Sequence, residues 1–111
     1  MSGVNFVQEG LSIDYTPAVA VTAGDVVVQG ELVGVAKKDI AADALGALAV
    51  EGVFDFPKAV LSSSAITVGA KCYWDDTNDV ATTSSGGNKL LGKAVIAATA
   101  TATTVRIKMN Q

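Results

Sequence analysis

The chain has 111 residues, half of them hydrophobic and 17% charged, with a formal net charge of −3. That length supports one domain with a single core, and the hydrophobic content is too high for a disordered chain. There is no histidine and only one cysteine, Cys72, which excludes a histidine general base, an intramolecular disulfide and a cysteine-based zinc site.

The basic residues stand singly along the sequence, apart from Lys37-Lys38. Phosphate neutralisation needs clustered basic residues, so no nucleic-acid partner is expected. No apolar run approaches the length of a membrane span, and the N-terminus lacks the basic and apolar regions of a signal peptide. Sixteen Val, ten Thr and five Ile dominate the composition. Such β-branched residues lose rotamer freedom in helices and suit pleated surfaces, so the fold class is all-β.

Residues 1–10 are expected to form an N-terminal arm or an edge strand, and 11–111 a single β domain. Leu11 to Tyr15 alternates apolar and polar residues, the pattern of a half-buried strand that ends at Thr16-Pro17. Ala23-Gly24-Asp25 is a turn. Val26-Val27-Val28 is a continuous apolar run, which predicts a strand buried on both faces. Gln29-Gly30 turns the chain into a strand over 31–36. Residues 37–47 are the most helix-like stretch, but Asp39, Asp43 and Gly46 punctuate it, so a loop with one turn is expected.

Leu48 to Phe56 resumes extended structure, with Phe54 and Phe56 on one face, Asp55 on the other and Pro57 as the stop. Residues 57–65 form a loop or short helical turn. Lys71 to Trp74 is a strand, Asp75 to Asp79 a dense turn signal and Val80 to Thr83 the returning strand of a hairpin. After a flexible polar loop over 82–88, Leu90 to Ala97 is a strand kinked at Gly92. Val105, Ile107 and Met109 then alternate with Arg106, Lys108 and Asn110. Eight or nine short strands at this spacing predict a single β-barrel or β-sandwich with at most one short helical turn. Trp74 and Phe54 are the largest expected core pieces.

Few residues carry recognisable chemistry. Gly87 to Lys93 matches GxxxxGK, but Ala94 stands where a phosphate loop needs Ser or Thr, and no helix is expected to follow. Asp75-Asp76-Thr77-Asn78-Asp79 departs from calcium-loop spacing and lacks a later bidentate Glu, so no metal is expected. Ser62-Ser63-Ser64 has no histidine or plausible lysine base beside it. Cys72 alternates with Trp74 and is expected in the core. No catalytic residue, cofactor or metal is predicted, and the chain is read as a non-enzyme.

Several segments, taken in order, carry a resemblance. They are Asn5 to Gly10, Ala23 to Val27 with Gly34-Val35-Ala36, Glu51-Gly52-Val53-Phe54-Asp55-Phe56-Pro57-Lys58, Gly69 to Asp75, Gly92 to Val95 and Thr104 to Ile107. Together they resemble the capsid cement, or head decoration, proteins of tailed bacteriophages. The family is often labelled a RecA/RadA-like phage recombinase. Such an ATPase needs a complete phosphate loop and a parallel α/β core of about twice this length, neither of which this chain offers.

The resemblance implies a structural virion protein on the outer surface of the expanded phage head, synthesised in the host cytoplasm. Its partners would be the major capsid protein and copies of itself, a homotrimer being favoured over a dimer. An alternative is a tail-associated or host-surface carbohydrate- or receptor-binding β domain. Only Tyr15, Tyr73 and Trp74 could serve a sugar site. The expected capsid contacts are Val4, Asn5, Phe6, Val7, Gln8 and Glu9, as an arm that pairs with a capsid strand or as an ordinary edge strand of the domain. Loops 37–47 and 82–89 are alternative contact surfaces.

Overall fold

The period-2 pattern at the C-terminal end is the clearest instruction in the chain, and it sets the frame of the fold. Strand β9 (Thr104–Met109) buries Val105, Ile107 and Met109 and exposes the residues between them. It lies inside a five-stranded antiparallel sheet of order β5-β9-β8-β6-β7. Its companions are β5 (Gly52–Pro57), β6 (Lys71–Asp75), β7 (Val80–Thr82) and β8 (Lys89–Ala94). A four-stranded antiparallel sheet of order β1-β4-β3-β2 holds β1 (Ser12–Tyr15), β2 (Val26–Gln29), β3 (Leu32–Ala36) and β4 (Gly46–Ala49). The computed structural model describes residues 3–5, 10–60 and 64–111, and no helix occurs among them.

The predicted all-β class stands, in its sandwich form. Neither sheet closes into a barrel. The five-stranded sheet curls until a single parallel bridge, Lys58 to Ala81, joins its opposite edges. Val33 and Val35 of β3 pack with Phe56, Trp74, Leu91 and Ile107 of the other sheet, and Val26 and Val28 of β2 add to the same cluster. Gln111 reinforces this contact. Its side-chain amide donates to the Val33 carbonyl at 2.6 Å, and its Oε1 accepts the Val33 N–H at 2.6 Å, as another strand would.

Local chemistry explains the connections. Gly30 (φ 61°) occupies the first position of the two-residue β2–β3 turn, where a primed hairpin turn requires positive φ. The Asp75 to Asp79 segment turns β6 into β7 as its composition predicts. The Asp75 Oδ1 accepts the N–H groups of Thr77 and Asn78, at 3.0 and 3.2 Å.

Four expectations are corrected. Val26-Val27-Val28 is not buried on both faces. β2 is a sheet edge, and each valine is only half-buried. The extended run from Leu48 to Phe56 is two strands, because the chain crosses between sheets at Val50-Glu51. The strand kinked at Gly92 stops at Ala94 rather than Ala97. The Val95 N–H makes its bond to Arg106, after which Ile96 turns outward, 51% exposed. Phe56, 2% exposed, takes the core place expected for the half-buried Phe54, and its ring lies 6.1 Å from that of Trp74.

Among the described residues, the bulge in β8 is the one shift of register between paired strands. Cys72 pairs with Gly92 and Tyr73 with Leu90, so Leu91 is an extra residue. A Cβ on Gly92 would stand 2.0 Å from the Lys108 carbonyl oxygen. Gly92→Ala therefore has to push β9 away. It is expected to cost about 1–3 kcal/mol or more, read as a lowered urea midpoint, and an unchanged midpoint would show that the two backbones do not pack as described. Trp74→Ala removes the largest buried ring and should cost about 3–5 kcal/mol; thermal unfolding within a degree or two of the parent would contradict its burial.

Candidate capsid-contact surface

The residues expected to touch a partner fall in different places. Val4 and Asn5 are exposed, Val4 almost entirely so. Phe6, Val7, Gln8 and Glu9 lie outside the described residues. Beyond them Leu11, 61% exposed, leads into β1 at an edge of the four-stranded sheet.

The first alternative loop is anchored at one buried residue and is otherwise mostly exposed. Ile40, 6% exposed, is held by a two-way backbone bridge to Val21 at 2.9 Å. It sits so close to Gly46 that a Cβ there would meet its Cδ1 at 2.6 Å. Lys37 to Asp39, Ala41 to Asp43, Leu45 and Ala47 are exposed. The second loop is tied to itself by Asn88, whose Nδ2 donates to the Ser84 carbonyl at 2.9 Å. Next to it, Lys89 reaches Glu31 at 2.8 Å and joins β8 to the β2–β3 turn.

The serine run has a neighbour that the sequence reading denied it. Lys58 is buried, 4% exposed, and its Nζ donates to Ser64 Oγ at 2.9 Å. It also donates to the carbonyls of Ala59, Ala100 and Ala102, at 2.8, 3.2 and 3.3 Å. Ser64 Oγ meanwhile points its own hydrogen toward the Ala100 carbonyl, at 3.2 Å. Four oxygens around one nitrogen fit an ammonium donor, not a base for Ser64. Lys58 was legible in principle: it continues the period-2 face of Phe54 and Phe56 inward. Ser62 and Ser63 lie outside the described residues.

Other charged and sulfur groups play structural parts. A side-chain hydrogen bond from Arg106 holds the Asp55 carboxyl below its ordinary range, and Asp55 in turn raises Arg106. The pair is bidentate, at 2.9 and 3.2 Å, on the outer face of the sheet. The Asn78 side chain does the same for Asp75. Asp76 accepts the Trp74 indole N–H at 3.1 Å. Burial pushes the Cys72 thiol up, in keeping with its expected place in the core.

The sequence also hid a cluster of basic residues. Lys71 of β6 lies directly opposite Lys93 of β8, and Lys93 directly opposite Lys108 of β9. Directly paired residues point to the same face, so three lysines that are separate in sequence stand side by side on the outer face of the larger sheet. All three are exposed. They border a shallow groove of about 260 Å³ together with Leu90, Val95 and Asn110. Among the described residues no carboxylate pairs with them. Strand register brings them together, and a single sequence does not display register.

The Lys58 cage makes a quantitative prediction. Lys58→Met keeps the volume but takes the lysine's donor from the Ala59 and Ala102 carbonyls, while Ala100 keeps Ser64, which should cost about 1–3 kcal/mol. A denaturation midpoint equal to that of the parent chain would show that the cage contributes nothing.

Comparison with known proteins gives one match. A family model described as phage cement protein covers residues 7–109, which takes in all nine strands. No curated protein and no solved structure matches the chain significantly.

Proposed function

The chain belongs to the phage cement protein family, and we propose that it binds the outer surface of the expanded phage head and stabilises the lattice of the major capsid protein. The family's role is structural and places the protein with the phage capsid. The match over nearly the whole chain is the observation that carries the proposal. The fold supports it: two antiparallel sheets in a body of 47 × 40 × 23 Å offer broad faces for contact.

The mechanism is linkage. A protein that binds only the expanded lattice stabilises that state by mass action, about 2.7 kcal/mol per site when its free concentration is 100 times Kd. It makes expansion harder to reverse only if its affinities for the two shells differ, because equal affinity shifts nothing. A homotrimer would bridge several capsid subunits and gain avidity, so modest contacts per protomer would suffice. In this scheme the segment 4–9 is one contact, pairing with a capsid strand.

Co-sedimentation with purified heads tests the proposal. Saturable binding to expanded heads, with none to unexpanded procapsids, is the expected result. Equal binding to both shells would remove the stabilising mechanism, and binding to neither would end the cement assignment for this chain.

A further inference from the structure

We propose that the Lys71–Lys93–Lys108 ladder is a docking site for a carboxylate-bearing segment of the capsid surface. This deepens the cement assignment and rests on it. Like charges placed directly opposite on neighbouring strands destabilise a sheet. Here two such pairs share one lysine, with no carboxylate among the described residues to offset them. Elsewhere two surface cations are paired, Lys89 with Glu31 and Arg106 with Asp55, while Lys37 and Lys38 are neighbours along one loop rather than across strands. Unpaired cations gathered on one face of a chain of net charge −3 form a local positive field suited to an acidic partner.

The surroundings favour a protein segment over a nucleic acid. Adjacent strands lie about 4.8 Å apart, so the ladder spans roughly 10 Å, room for a few carboxylates rather than a length of phosphate backbone. Val53, paired with Lys108, extends the row as an exposed apolar residue, and Val95 is exposed beside it. A partner segment can therefore set apolar side chains beside its carboxylates. The lysines would act chiefly on encounter rate and orientation, and the apolar neighbours on residence time.

The test is co-sedimentation with expanded heads of the protein's own phage across a salt series. It compares the parent chain, the triple variant Lys71→Gln/Lys93→Gln/Lys108→Gln and the charge-conserving control Lys71→Arg/Lys93→Arg/Lys108→Arg. The parent should bind more weakly as salt rises. The triple variant should lose at least about tenfold in affinity at low salt and most of the salt dependence, while the control stays near the parent. Because the triple variant relieves repulsion, its thermal stability should equal or exceed that of the parent, which separates lost docking from misfolding.

Parent-like binding by the triple variant would overturn the proposal. So would a loss of self-association in light scattering, which would make the occupant a second copy. A ladder-dependent affinity for a DNA oligonucleotide, with head binding unchanged, would overturn it in favour of phosphate. If the parent itself binds no heads, the cement assignment fails first and the ladder falls with it.

Discussion

The absence of a side chain at Gly92 is the constraint on which most of the larger sheet depends. At that point the backbones of β8 and β9 approach closely enough that any Cβ would overlap the Lys108 carbonyl. The same place admits the extra residue of the bulge, and the Asn110 N–H crosses to the Leu91 carbonyl at 3.0 Å. The extra residue changes which face the first half of β8 presents, because side chains alternate with period 2. Leu91 is thereby fully buried, while Lys93, two positions on, keeps its place outside between Lys71 and Lys108. One backbone irregularity serves both the core and the charged face.

Two polar side chains manage what the apolar core cannot. Sheet edges and chain crossings leave carbonyls and N–H groups that need partners once water is excluded. Lys58 gathers three carbonyls and a hydroxyl where the end of β5 meets the 99–103 segment. Gln111 supplies an N–H and a C=O to Val33, so a side-chain amide completes the rim of the smaller sheet. Each joins segments more than 40 residues apart in the chain. The apolar core therefore receives fixed points that non-directional packing would not itself impose.

Much of this was legible in the residues. β-branched composition and period-2 alternation gave the fold class, the strand of residues 104–109 and the 75–79 turn, because those signals act within a few residues of themselves. The kink at Gly92 could be seen, but not its cause, which lies in Lys108, sixteen positions away. Phe54 and Phe56 were correctly put on one face, yet it is Phe56 that packs beside Trp74, a ring on another strand that nothing near either phenylalanine announces. The lysine ladder was invisible for the same reason. Lys71, Lys93 and Lys108 become neighbours only through the pairing of three strands, and nothing local to any one of them marks it. The expected contacts at Phe6 to Glu9 rested on a resemblance, and they lie outside the described residues.

In the proposed role the protein discriminates between two shells built from the same polypeptide, so its contacts would have to sense arrangement rather than composition. A single deep pocket would bind its ligand on either shell. Several shallow, individually weak contacts spread over a slab respond instead to the spacing between capsid subunits, since avidity is lost when geometry forbids simultaneous engagement. The exposed Val4 and the row of lysines with its apolar neighbours are open surface features, and none of them encloses a ligand. Such surface features suit the proposed role, in which affinity appears only when the lattice beneath has reached its final spacing.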